Sequence, residues 1–373
     1  MNHLQAILNA YQKNKASFLA TIVNTKGSTY RRTGARMLVT KEGEITGMVS
    51  AGCLEQDIFH HIQQKIEAVD SSFQPFLITY DITTNEDISW GFGLGCDGVV
   101  QILVESLEDN AFNPMTFISK CLQGQQIGVL ATIFQVEGDI NVQLGTKLMM
   151  YGDGSITHNF TEMDLYRKVA TDAQKVINTK QSAIHQYSVS SGKVQIFIEA
   201  IQPPTPLVIF GAGRDAIPLA QFAKALGWNL TIVDCRSLEA TANRFSIADQ
   251  VIPTRREILS QQITPTIDTV AVIMTHNYYD DLEILKLLLP SPALYVGLLG
   301  SRNRTQRLLQ ELRLQQTTYT IEQLRRLHAP IGLDIGAETP EEIAIAIVAE
   351  IQTQLSGRNG GFLKNRQTAM HPA

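Results

Sequence analysis

Basic blocks, long apolar runs and cysteine clusters are what this 373-residue sequence lacks. No run of lysine and arginine appears and the formal net charge is −5. That argues against a nucleic-acid-binding protein, which needs clustered positive charge to displace counterions. The most apolar helix candidate, Ile343 to Ile351, falls far short of the roughly 20 residues that span a bilayer, so no membrane partner is expected. Four cysteines, Cys53, Cys96, Cys121 and Cys235, with no Cys-x-x-Cys among them, are too few and too scattered for a disulfide framework. The first residues, MNHLQAILNAYQKNKASF, contain no basic segment followed by an apolar one. No secretory signal is therefore expected, and the protein is expected in the cytoplasm with its thiols reduced. Charged residues make up only 18%, below the roughly 25% average, which leaves little room for disorder.

At about 150 residues per domain the length predicts two or three domains. The clearest boundary is Gln202-Pro203-Pro204-Thr205-Pro206, where three prolines stiffen the chain and remove backbone donors. Domains are expected over 1–201 and 207–356, joined by the linker 202–206 and followed by a polar tail, 357–373.

Upstream of the linker the sequence repeats itself. Phe18-Leu19-Ala20-Thr21-Ile22 returns as Val129-Leu130-Ala131-Thr132-Ile133, a shift of 111 (130 − 19), and Gly27, Gly34 and Gly43 meet Gly138, Gly145 and Gly154 at that shift. Gly98 to Glu105 returns as Gly192 to Glu199, a shift of 94 (199 − 105). The copies run over about 16–107 and 127–201, the second being shorter. Each reads as an α+β unit: alternating strands, a hairpin at Glu42-Gly43, then a helix over Gln56 to Ala68 with Ile58, Ile62 and Ile66 on one face. The second helix is predicted over Met163 to Ile177. Only the first copy has Gly27 to Gly34 with Arg31 and Arg32, the run Ser50-Ala51-Gly52-Cys53-Leu54-Glu55, and the glycine-rich stretch around Cys96. Function sits on such loops while the shared scaffold supports them, so the first copy is expected to carry the site.

Downstream, Leu207 to Phe210 is a continuous apolar run suited to a buried parallel strand. It leads into Gly211-Ala212-Gly213-Arg214-Asp215-Ala216, an amphipathic helix through Leu219, Phe222 and Leu226, and a second strand ending at Asp234. Gly211 allows the tight turn, Gly213 a close backbone approach, and the helix start offers free N–H groups to a phosphate. Asp234 stands where a ribose hydroxyl would be bound. Strands and helices go on alternating, which predicts a Rossmann-like, doubly wound parallel sheet with its ligand beyond the carboxyl ends of the strands. Thr275, His276, Gly300, Ser301 and Arg302 fall at those ends, Arg302 as a phosphate contact and Arg304 and Arg307 as solvated charges. His276 is read equally as proton donor or structural cap. Thr339-Pro340-Glu341-Glu342 is a capping box. The run before it, with Asp334 and Glu338, is expected to close over the site.

With these pieces in place the chain resembles the xanthine dehydrogenase accessory (XdhC/CoxI-type) family, the molybdenum-cofactor chaperones. The resemblance rests on Gly27-Ser28 to Arg36, Ser50 to Glu55, Phe210 to Gly213, Thr275-His276, Gly297 to Arg302 and above all His328 to Glu342; residues 110 to 200 contribute little. It implies a maturation factor that holds the molybdenum cofactor (molybdopterin or its dinucleotide form), assists its sulfuration and delivers it to an apo xanthine dehydrogenase-type enzyme. A cysteine desulfurase as second partner and a homo-oligomeric state are implied with it. Arg31, Arg32 and Arg36 would hold anionic oxygens, Cys53 and Cys96 would handle sulfur, and Arg214 stands where the family often has histidine. Two other readings stay open: an NAD(P)-dependent oxidoreductase using Asp234 and His276, and a nucleotide-sensing regulatory module.

Overall fold

The computed structural model describes residues 3–13, 17–68, 73–81, 98–108, 111–189, 192–236, 240–315 and 318–367. Two compact units are present, dividing between Pro203 and Pro204. Among the described residues no helix is long and apolar enough to cross a membrane.

The N-terminal unit runs α1 (His3–Lys13), β1 (Ser17–Gly27), β2 (Arg36–Thr40), β3 (Ile45–Gly47), α2 (Glu55–Glu67), β4 (Phe76–Asp81) and β5 (Gly98–Ser106). It continues with α3 (Pro114–Gln123), β6 (Gly128–Gly138), β7 (Lys147–Tyr151), β8 (Ile156–His158), α4 (Met163–Thr179), β9 (Ala183–Val189) and β10 (Gly192–Ile201). Two antiparallel five-stranded sheets result, ordered β3-β2-β1-β5-β4 and β8-β7-β6-β10-β9. Even their irregularities correspond: β1 shifts register against β5 after Ile22, and β6 shifts against β10 after Ile133.

Alternation along β1 sends Phe18, Ala20 and Ile22 to one face, where α2 packs through Ile58 and Ile62. Burying each of these isoleucines contributes about 1.5–3 kcal/mol. Ile66, expected on the same stripe, is 43% exposed, because α2 ends at Glu67 and its last turn overhangs the sheet. Helix α4 covers the second sheet in the same manner through Leu165, Val169, Ala173 and Val176. The opposite faces share apolar clusters, one of them built from Val23, Leu103, Phe134 and Phe197.

Two buried ion pairs cross between the halves. Arg36 at the start of β2 makes a two-pronged contact with the Glu199 carboxylate on β10, Nη1 to Oε1 at 2.8 Å and Nη2 to Oε2. Lys147, at the equivalent start of β7, donates to Glu105 on β5 at 2.5 Å and to the Gly145 carbonyl at 2.8 Å. The side chains of Arg36 and Lys147 are 4% and 2% exposed. Arg36, expected at the anionic oxygens of a ligand, is therefore engaged by Glu199 and by the Gly34 carbonyl.

The C-terminal unit comprises β11 (Pro206–Phe210), α5 (Ala216–Ala225), β12 (Asn229–Asp234), α6 (Ala240–Arg244), β13 (Gln250–Pro253), α7 (Leu259–Gln262), β14 (Val270–Ile273) and α8 (Tyr278–Leu288). Then come β15 (Tyr295–Leu298), α9 (Arg302–Leu314), α10 (Ile321–Arg325), β16 (Leu327–His328) and α11 (Pro340–Ser356). Six parallel strands lie in the order β13-β12-β11-β14-β15-β16, so the winding reverses between β11 and β14, the crevice where Rossmann sheets bind ligands. Helices α5 and α11 bury Leu219, Ala223, Ile347 and Ile351 on one face. Helices α8 and α9 bury Ile284, Leu288, Leu308 and Leu312 on the other. Leu226, expected on the apolar stripe of α5, lies past its last turn and is 47% exposed. The capping box forms as expected: Thr339 accepts from the Glu342 amide, and the Glu342 carboxylate from the Thr339 amide.

Replacing Glu199 with alanine strands the Arg36 guanidinium. The N-terminal unit should lose about 3–5 kcal/mol of stability, read as a lower urea midpoint, while Arg36→Met with Glu199→Leu together should recover most of it. A midpoint unchanged in Glu199→Ala would contradict the role given to the pair.

Candidate functional site

At the carboxyl edge of the parallel sheet, Gly211 turns the chain at φ +118°, and a β-carbon there would come 2.4 Å from the Met274 carbonyl oxygen. Glycine is thus required where the ends of β11 and β14 converge. Helix α5 begins without a side-chain cap, Asp215 making no such bond. The amides of Gly213, Arg214 and Asp215 have no acceptor among the described residues. Unfilled N–H groups at a helix start suit a phosphate. Pro218 sits in the first turn, where its missing donor costs nothing.

Asp215 was not singled out by sequence, and it changes the reading of Gly213. A β-carbon at Gly213 would come 2.2 Å from Asp215 Oδ1, so that glycine makes room for the carboxylate as well as for a ligand. The other carboxylate oxygen, Oδ2, lies 2.7 Å from His276 Nε2. His276 holds φ +59°, a left-handed conformation uncommon for non-glycine residues, though histidine enters it more readily than most. Such strain clusters at functional loops, and here it turns the imidazole across the switch point onto Asp215.

The other edge residues differ in availability. Asp234 is 1% exposed and accepts from the backbone and side-chain nitrogens of Arg236 at 3.1 and 3.4 Å. Thr275 donates to Asp281 at 2.5 Å and takes the Asn277 amide. Ser301 caps α9, accepting from the Arg304 amide, and Gly300 precedes it at φ +150°. Arg304, expected in solvent, instead binds the buried Asp281 through Nη2 at 2.6 Å and lies over the Tyr278 ring. Arg214 and Arg302 are exposed and form no ion pair among the described residues. Arg244, which sequence reasoning missed, reaches from α6 to donate to the Ala212 carbonyl at 2.6 Å; nothing in its spacing announces a contact 32 residues away.

The loop after β16 is anchored at its start. His328 stacks on Tyr295 with ring centroids 4.4 Å apart, and its Nδ1 lies 3.0 Å from Glu350. Tyr295 and the Gly332 amide donate to the same carboxylate at 2.6 and 2.8 Å. Burial alone would raise the Glu350 pKa, but these donors hold it below the ordinary carboxylate value. Beyond Gly332, Asp334 and Glu338 are exposed.

In the N-terminal unit, Ser50 organises the cysteine loop. Its hydroxyl accepts from the amides of Gly52, Cys53 and Leu54 and donates to Glu55. Glu55 in turn accepts from the Val49 and Ser50 amides. Burial opposes ionisation of Glu55, yet this set of donors lowers its pKa overall. Cys53 is half-buried at the rim of the turn. Arg31 and Arg32 are half-buried nearby in sequence, and Arg31 Nε is buried with no partner among the described residues. Cys96 lies outside the described residues.

The fold and this edge define the class: a Rossmann-domain protein carrying an N-terminal α+β unit. Residues 207–351 match the family model described as the XdhC Rossmann domain, and residues 10–81 and 121–188 match that of the XdhC and CoxI family. The chain belongs to the XdhC and CoxI family. The match at 121–188 corrects the expectation that the second half contributes little. The chain is 32% identical to a probable xanthine dehydrogenase subunit from Bacillus subtilis, covering 94% of this chain and 97% of that one. It is 21% identical to the molybdenum cofactor insertion chaperone PaoD of Escherichia coli, covering 93% and 86%. A crystal structure described as a xanthine dehydrogenase from Bacillus halodurans superposes with a TM-score of 0.75 at 26% identity, covering 96% and 97%.

Two further thiols are described, Cys235 half-buried and Cys121 buried. Burial, reinforced by Asp280 and Asp234, pushes the Cys235 thiol up to about 12, and burial pushes Cys121 up to about 11. A raised pKa leaves little thiolate until the pH approaches it, so both should resist iodoacetamide at pH 8, with Cys235 labelling rising as pH increases. Rapid labelling of either at pH 8, seen by peptide mass spectrometry of native protein, would contradict these environments.

Proposed function

We propose that this protein is a maturation factor that binds the molybdenum cofactor, as molybdopterin or its dinucleotide, and delivers it to an apo xanthine dehydrogenase-type enzyme. Family membership supports a xanthine dehydrogenase accessory role, and the relative PaoD carries the cofactor-insertion name. The observation that carries the binding half is the uncapped α5 start, with three free amides and two exposed guanidinium groups, Arg214 and Arg302, on the same sheet edge. These residues fit an anionic phosphate. The Asp215 carboxylate beside this start is hydrogen-bonded to His276 at 2.7 Å.

In this reading the Gly211–Asp215 turn and Arg302 hold the phosphate end, with Thr275, Gly300 and Ser301 shaping the crevice and Asp334 and Glu338 at its mouth. Asp234, held by Arg236, faces a ribose if the dinucleotide form is bound. Once bound, the group supplies molybdenum redox chemistry to the client, not to this chain. Cys53, on its Ser50-braced loop, and Cys96 are assigned to sulfur handling, with Arg31 and Arg32 as anion contacts and a cysteine desulfurase as sulfur source. Action in the cytoplasm as a homo-oligomer belongs to the same proposal. The parallel sheet with Asp234 and His276 also suits an NAD(P)-dependent oxidoreductase, which is the second reading.

Cys53→Ala should leave folding and cofactor retention intact while lowering activation of an apo client enzyme about tenfold or more. Gly213→Leu should weaken retention itself, because its side chain displaces Asp215. Unchanged client activation by Cys53→Ala removes the thiol from the scheme, and normal retention by Gly213→Leu removes the Rossmann turn.

A further inference from the structure

The two halves of the N-terminal unit differ where their first helices meet the sheets. Helix α1 packs on β2 and β3, and the approach is closest at Gly47. A β-carbon there would come 2.6 Å from both Ile7 Cδ1 and the Arg36 carbonyl oxygen. Gly47 pairs with Met37 across the hairpin, and in the second half the equivalent place, paired with Leu148, is held by His158. Helix α3 stands in the position of α1, each lying just ahead of the first strand of its sheet. His158 shares a sheet face with its partner Leu148, which packs under α4, and its ring stacks on Tyr166 of that helix at 4.1 Å between centroids.

A cleft of about 590 Å³ lies between α3 and the β7–β8 hairpin. That falls within the roughly 300–1,000 Å³ of small-molecule sites. Two half-buried aromatic rings, Phe112 and Tyr151, line it beside the buried Phe117 and Met149. Such rings accept another ring by edge or offset contact. Six of the eleven lining residues carry polar groups, namely Asn113, Thr116, Lys120, Tyr151, Thr157 and His158. Asn113 is fully engaged, its oxygen taking the Met115 and Thr116 amides and its nitrogen donating to Tyr11 and Leu107. Lys120, exposed at the rim, has no ion pair among the described residues. Asp153, in the adjoining turn, is held by the amide and hydroxyl of Ser155.

We propose that this cleft is a binding site for a small aromatic anion, with the ring against Phe112 and Tyr151 and the single negative group on Lys120. The site is independent of the cofactor proposal, since none of these residues belongs to the glycine turn or the cysteine loop.

The test titrates the full-length protein with 8-anilino-1-naphthalenesulfonate, followed by fluorescence, with circular-dichroism melts to verify folding. Thr116 and Lys120 are both exposed, so their replacement spares the core. Saturable binding at one dominant site is expected, weakened about tenfold by Lys120→Glu and abolished by Thr116→Trp, which fills the cleft. The uncharged N-phenyl-1-naphthylamine should bind more weakly and ignore the Lys120 change. Equal affinity for the sulfonate in the parent protein and both variants, or binding that survives Thr116→Trp, overturns the proposal.

Discussion

The crossed ion pairs of the N-terminal unit are the constraint on which its architecture depends. Arg36 of the first half reaches Glu199 of the second, and Lys147 of the second reaches Glu105 of the first. Each cation stands at the start of a sheet's second strand and each carboxylate on its fourth. Among the described residues, the buried cation of each half is answered by a carboxylate of the other. Removing two charges from water is costly unless geometry and extra hydrogen bonds compensate. Here the Gly34 and Gly145 carbonyls add those bonds. The halves are committed to each other in one register, and the first half's cysteine and arginine loops hang from a scaffold that the second half completes.

The C-terminal unit uses the same device at smaller scale. Asp280 and Asp281, adjacent and buried at the start of α8, are matched by Arg256 and Arg304, and His276 hydrogen-bonds Asp215 across the switch point. These pairs consume most of the charge at the sheet edge. Among the described residues they leave free amides at α5 and the unpaired guanidinium groups of Arg214 and Arg302. Charge that is not internally matched is where an anion can be bound without displacing a structural partner.

Much of this was legible in the sequence, for physical reasons. The strand, glycine turn and helix after Pro206 are set by local chemistry, and the parallel sheet follows from alternation of elements. Glycines and strand patterns match at shifts of 111 and 94, and the two sheets share a strand order that the sequence pattern by itself did not give. The roles of individual charges were not legible. Arg36 looked like a ligand contact because its partner lies 163 residues away, and Arg304 looked solvated because Asp281 comes from another element. Asp215 was hidden inside the glycine pattern itself. Glu350 did leave a signal, as a lone acid in the apolar stretch Ile343 to Ile351; such an acid is buried only with partners, and His328, Tyr295 and the Gly332 amide supply them.

The central claim is that the Rossmann unit holds a phosphate-bearing pterin. Its most direct test is to purify the full chain from a host that makes molybdopterin, oxidise it, and quantify fluorescent pterin alongside molybdenum. The account predicts close to one pterin per chain. Protein free of pterin that instead binds reduced nicotinamide nucleotide saturably and transfers its hydride would contradict it.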